Sequence, residues 1–282
     1  MELHVINTGF FKLDGGAMFG VVPKVLWQKS NPPDEKNMCT WAMRCLLINT
    51  GKELILVDNG IGNKQDENFF SHYYLHGNDN LDGSLKKPGI SKDDVTDMFL
   101  THLHFDHCGG SIVRDTNGKL LPAFKNARYW SHEKHWEWAT HPNPREKASF
   151  LKENILPIKE SGMLNFATAT GNSSSSLHPE IGIQVVNGHT EAMMLPSIPY
   201  KGTRIIYCAD LFPSSSHIPL PWIMGYDVRP LITMQEKVEI LTAAVENNWV
   251  LFFEHDPEHE CCTLEKTEKG IRVKERFPLS AL

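Results

Sequence analysis

The sequence predicts an α/β fold on three observations. Short apolar runs recur along the chain and stop at polar residues, a well-formed amphipathic helix lies between the last two of them, and no stretch approaches the roughly 18 apolar residues of a membrane helix. Taking the elements in order, Cys45–Asn49 and Leu54–Val57 flank Thr50-Gly51-Lys52, a hairpin whose second strand stops at Asp58. Ser91 with Asp94 reads as a short capped helix, and Met98–Thr101 as the next strand. Residues 111–170, with helix-like stretches such as Trp130–Trp138, read as an inserted helical segment. The GNSSSS run at 171–176 reads as a flexible loop. Strands are expected at Ile181–Val186, Arg204–Cys208 and Trp249–Phe253. The helix before the last strand starts with a Thr233/Glu236 capping box, repeats Met234, Val238, Leu241 and Val245 on one face, and ends at Asn247-Asn248. With no fixed-period repeat and no linker, residues 1–282 read as a single domain.

Bulk properties narrow the function. The net charge of −6 argues against a nucleic-acid partner, which would need a basic face. None of the six cysteines forms a CxxC pair, so a zinc ribbon is not expected, and free thiols suit a reducing compartment. The start MELHVINTGFFKLDGG has neither a basic n-region nor a long apolar run, so the expected location is cytoplasmic, with no membrane association. A homodimer is compatible with the sequence.

The chemistry concentrates in Thr101-His102-Leu103-His104-Phe105-Asp106-His107-Cys108-Gly109-Gly110. Four metal-ligand types fall within six residues, directly after a strand. On an extended strand end His102 and His104 point the same way, because the side-chain period is two, so both imidazoles reach one ion. The chain then turns, and Asp106 and His107 can swing towards a second ion. Gly109 and Gly110 permit a tight turn and a close backbone approach. Imidazole and carboxylate without thiolate suit zinc, and also manganese, iron or cobalt.

This HxHxDH string followed by Gly-Gly resembles the signature of the metallo-β-lactamase superfamily. Its downstream order resembles that family too: Gly188-His189-Thr190, Ala209-Asp210 and Glu254-His255-Asp256 each follow an expected strand. The resemblance implies an αββα four-layer sandwich and two divalent cations, zinc first among them. It implies His102, His104 and His189 on one ion, Asp106, His107 and His255 on the other, and Asp210 bridging. Asp58 matches the family's upstream Asp, which supports the site. The resemblance further implies a hydrolase in which a metal-bridging hydroxide attacks a small-molecule substrate, with Asp106 passing a proton to the leaving group.

Within the family, His102-Leu103-His104-Phe105-Asp106-His107 is similar to the acyl-homoserine lactonase form. LDGGAMFGVVPKVLW near the start resembles the methyl parathion hydrolase-like branch. One departure stands out. Those lactonases place a Tyr three residues after the bridging Asp, and here that position is Pro213; Tyr207 and Tyr226 are near in sequence. The expected activity is hydrolysis of a small ester, lactone or phosphotriester. The alternatives are a phosphodiesterase or nuclease on the same scaffold, and a non-catalytic metal-bound sensor. His132 and His135, flanked by Trp130, Trp136 and Trp138, are expected in a lid or its packing rather than on a metal, and the stretch after His255 up to Cys262 as a solvated acidic loop.

Overall fold

The computed structural model describes residues 1–168 and 175–282, so the GNSSSS run lies outside the described residues apart from its last two positions. In chain order the first part carries strands β1 (Glu2–Asp14), β2 (Met38–Asn49), β3 (Leu54–Val57), β4 (Asp97–Phe99), β5 (Ile112–Arg114), β6 (Leu120–Pro122), β7 (Arg128–Ser131) and β8 (Leu164–Phe166). Its helices are α1 (Gly15–Phe19), α2 (Lys24–Trp27), α3 (Glu67–Ser71), α4 (Leu81–Lys86), α5 (Phe105–Cys108), α6 (Glu133–Thr140) and α7 (Lys152–Glu160). The second part adds β9 (Gly182–Val186), β10 (Met193–Tyr200), β11 (Thr203–Tyr207), α8 (Pro230–Glu246), β12 (Val250–Phe252), β13 (Cys261–Thr267) and β14 (Gly270–Phe277). By contacts the chain divides into two compact units, Met1–Gly9 with Met43–Thr168, and Phe10–Ala42 with Ala169–Leu282.

One six-stranded sheet has the order β1-β2-β3-β4-β7-β8. The expected hairpin is there, with Asn49 opposite Leu54. From β3 onward the neighbours β3/β4, β4/β7 and β7/β8 are parallel. Parallel strands are covered on both faces, which is why β3, and β4 after Asp97, read as unbroken apolar runs rather than alternating ones. Leu47, Leu56, Met98 and Leu100 sit in one buried cluster. Loops leaving the carboxyl ends of parallel strands are where such folds place ligands, and Asp58 and Thr101-His102 leave those ends of β3 and β4.

The other six-stranded sheet, β14-β13-β12-β11-β10-β9, lies within the second unit. Its β11/β12 pair is parallel, Ile205 opposite Val250, and delivers Asp210 and His255 from the same end. The stretch expected to be an inserted helical segment holds α6 and α7. It also holds the β5/β6 hairpin and strands β7 and β8, which complete the first sheet. The expected helix from Trp130 starts later: Trp130 and Ser131 belong to β7 and the helix begins only at Glu133. Strands β1, β10, β13 and β14 carried no sequence expectation.

Helix α8 differs from the expectation in start and face. It begins at Pro230, which supplies a preset φ at the first helical position, and Thr233 is already inside it. The buried face is Thr233, Lys237, Ile240, Leu241 and Ala244, whereas Val238 is exposed. A lysine was not legible as a core residue. It is tolerated because its ammonium donates to the carbonyls of His217 (2.6 Å), Trp222 (2.8 Å) and Pro219 (3.0 Å), matching its three donors one for one. Glu236 caps no helix; its carboxylate accepts the N–H groups of Asn187 (2.6 Å) and Gly188 (3.0 Å), holding the loop before His189. Lys237→Met should therefore strand three carbonyls, and urea titration should show a loss of about 2 to 4 kcal/mol.

Candidate metal centre

In the first unit the site residues hang from one carboxylate. Asp58, fully buried with a left-handed φ of 55°, accepts the Thr101 N–H at 2.8 Å and the Thr101 hydroxyl at 2.6 Å. The same carboxylate faces His107 Nδ1 at 3.1 Å. A carboxylate facing this way only accepts, so His107 carries its proton on Nδ1 and turns its Nε2 lone pair to Asp106, 3.8 Å away. Because the Thr101 hydroxyl gives its proton to Asp58, its oxygen accepts from His102 Nδ1 at 3.1 Å. That leaves the His102 Nε2 lone pair aimed at His104 Nδ1, 3.1 Å away. On its other edge His104 turns Nε2 towards the buried Glu146 carboxylate at 3.6 Å.

Local backbone supports this arrangement. The Leu103 N–H between the two histidines donates to His135 Nε2 at 2.8 Å, so His135 positions the His102–His104 strand end. A Cβ on Gly109 would lie 2.1 Å from the Ile61 carbonyl oxygen, and one on Gly110 would lie 2.4 Å from that of Asn59. The glycines are therefore required for close approach to the loop after β3, and the φ of −61° at Gly109 demands no special turn.

In the second unit, His189 Nδ1 faces Asp227 Oδ1 at 2.9 Å, and His255 Nδ1 faces the Ala42 carbonyl at 2.7 Å. Both partners only accept, so both imidazoles keep their proton on Nδ1. Their Nε2 atoms then point lone pairs at the two oxygens of one carboxylate: Asp210 Oδ2 lies 3.1 Å from His189 and Oδ1 lies 3.1 Å from His255. Ala209, just before Asp210, has a φ of 41°, a left-handed conformation of the kind that clusters at functional sites. Gly188 lies against the start of α8, where a Cβ would approach Thr233 N to 2.4 Å.

Between neutral imidazoles and the carboxylate, lone pair faces lone pair at two places, His189/Asp210 and Asp210/His255. Buried acceptors at 3.1 Å repel unless a cation lies between them, and imidazoles that donate their outer N–H to carboxylates or carbonyls are the usual ligands of metals. The residues fit divalent metal ions on that ground, and these His and Asp side chains fall into groups able to hold them.

A model of the metallo-beta-lactamase superfamily matches residues 44–255. The chain belongs to that superfamily. It has the metallo-β-lactamase α/β sandwich and is a metal-dependent hydrolase. A probable metal-dependent hydrolase from Staphylococcus aureus superposes with a TM-score of 0.85 at 26% identity, covering 100% of this chain and 98% of that one. A dizinc quorum-quenching lactonase, solved with its product, gives a TM-score of 0.78 at 21% identity over 98% and 95% of the two chains. The N-acyl homoserine lactonase AiiA of Bacillus thuringiensis subsp. kurstaki is 24% identical over 237 residues, 79% of this chain and 84% of the relative.

Several positions were not legible beforehand. Asp227, Glu146, His135 and Glu236 hold the candidate ligands, or the backbone beside them, through contacts that join residues 32 to 49 apart in sequence. Pro213, standing where lactonases carry Tyr, accepts the His255 N–H at 3.0 Å through its carbonyl. Tyr207 is fully buried and stacked on Phe252, so its phenol lies within the core. The stretch after His255 is not a solvated loop throughout. Asp256 is buried and accepts the N–H groups of Ser215, Glu258 and His259, and Cys261 and Cys262 are buried in β13. Asp58→Asn should weaken metal retention by about 10- to 100-fold, because the amide cannot accept all three donors; titration against a competing chelator measures it.

Proposed function

We propose that the chain hydrolyses a small ester or lactone, with His102, His104 and His189 holding one divalent cation, Asp106, His107 and His255 a second, and Asp210 shared. The observation that carries this reading is the Asp210 carboxylate, which offers one oxygen to each of two imidazoles whose protons are committed elsewhere. On this reading both units act as one metallo-β-lactamase domain spanning residues 1–282. Zinc is the metal we favour, since the donors are imidazole and carboxylate and a structural neighbour is described as dizinc. Bound at these residues, two divalent cations supply Lewis acidity and bring the pKa of a water towards neutrality.

The protein's own groups do the rest. Asp106 takes the proton that the attacking water loses and returns it to the leaving oxygen. Tyr73 stands beside Asp106, and burial with that carboxylate's charge raises its phenol to about 12, so it keeps its proton at neutral pH and can donate a hydrogen bond. Phe69, Tyr73 and Phe105 pack edge-on and tilted with ring centroids 4.7 to 5.4 Å apart, an apolar wall next to Asp106 suited to an acyl or alkyl group. The lactonase relatives favour a lactone among the candidate esters. Among the described residues no helix is long and apolar enough to cross a membrane. A cytoplasmic setting is our proposal for the location, and six free, buried cysteines suit it.

The test offers metal-loaded protein an acyl-homoserine lactone, an aryl ester, a phosphotriester, bis-nitrophenyl phosphate and a thioester. Turnover of lactone or ester supports the reading. Turnover of the diester alone would assign a phosphodiesterase, and silence on all five with two metals bound would favour a sensor or a substrate outside this panel. Removing metal with a chelator should abolish turnover, and zinc should restore it. Asp106→Asn, checked for retained metal, should lower kcat by about 100-fold or more, the usual worth of a positioned proton-transfer group.

A further inference from the structure

Away from the ligand set, the second unit carries a surface cleft of about 270 Å³ bordered by two arginines, three serines and a tryptophan. Arg272 and Arg276 come from β14, the edge strand of its sheet. Leu264 pairs with Val273 and Thr263 with Glu275, so Lys274 is an extra residue, and this bulge re-aims the strand between the two arginines. Arg276 Nε donates to Ser215 Oγ at 3.0 Å, which leaves its two terminal nitrogens for another partner. Arg272 Nη1 donates to the Ile271 carbonyl at 2.8 Å. Among the described residues neither guanidinium pairs with a carboxylate. Glu265 stands opposite Arg272 across the β13/β14 pair without closing a salt bridge, and two guanidiniums bordering one concavity repel each other, a cost that an anion between them lowers.

The rest of the lining suits the same ligand. Ser215 and Ser216 bring hydroxyls that can donate, whereas Ser30 gives its proton to the Trp27 carbonyl at 3.0 Å, and Trp222 brings a flat apolar face. The wall is built rather than incidental. The Ser215 N–H is fixed to Asp256 Oδ2 at 2.9 Å, and the Trp222 carbonyl to the buried Lys237 ammonium at 2.8 Å. Trp222 also stands edge-on to Phe19, centroids 5.8 Å apart. The Asp256 carboxylate beside Ser215 turns its oxygens onto backbone N–H groups.

We propose that this cleft binds a small phosphomonoester carrying a flat ring, its phosphate held by Arg272, Arg276 and the serine hydroxyls and its ring laid on Trp222. Guanidinium forks match phosphate oxygens two at a time, and the indole gives a stacking surface.

Calorimetry on the zinc-loaded protein, with adenosine monophosphate and inorganic phosphate as separate probes, tests this. Adenosine monophosphate should bind, and the Arg272→Gln/Arg276→Gln pair should weaken it by about tenfold or more, as expected for losing charge-assisted bonds. Hydrolysis and metal content should stay unchanged in that pair. Trp222→Leu should weaken adenosine monophosphate while sparing inorganic phosphate. Unaltered affinity in the arginine pair would overturn the site, since phosphate would then be binding the metals. No heat with adenosine monophosphate in the millimolar range would overturn it equally, as would a Trp222→Leu loss shared by both probes.

Discussion

A neutral imidazole has one proton to give, and in this chain the protons of His102, His107, His189 and His255 are already given. Thr101, Asp58, Asp227 and the Ala42 carbonyl accept them. Each neutral ring is thereby fixed in one tautomer, its lone pair turned to a His104 nitrogen or to a carboxylate oxygen about 3 to 4 Å away. Folding alone would not favour such crowding of buried acceptors, because each costs free energy without a donor. Cation binding converts the arrangement from a penalty into a preformed site, and the free energy of binding becomes part of the stability of the fold.

The scaffold makes the crowding possible. In both units candidate ligands leave the carboxyl ends of short parallel strands, β4 in one and β11 and β12 in the other, and burial of these strands leaves their ends little freedom. Asp58 and Ala209 hold left-handed backbone at those ends. Gly109, Gly110 and Gly188 then lie so close to neighbouring backbone that an added Cβ would come within 2.1 to 2.4 Å of it. Side chains well outside the motif finish the work: His135 pins Leu103, and Glu236 pins Asn187 and Gly188.

Much of this was legible in the sequence, for identifiable reasons. The β2/β3 hairpin, β4, β9, β11 and β12 showed as apolar runs ending in polar residues, and the ligand string showed because its donors are adjacent. Elements governed by distant partners were illegible. The buried face of α8 was misjudged because Lys237 finds three carbonyls some 15 to 20 residues earlier in the chain. Residues 128–131 and 164–166 looked like parts of a helical segment because three- and four-residue strands are too short to show a period. Asp227 carried no signal, since nothing local marks it as the partner of His189.

Anomalous diffraction at the zinc edge from crystals of zinc-loaded protein tests the central claim most directly. The account predicts two peaks, one bound by His102, His104 and His189, the other by Asp106, His107 and His255, with Asp210 touching both. A map with no peak among these side chains, or with zinc held only by other residues, would contradict it.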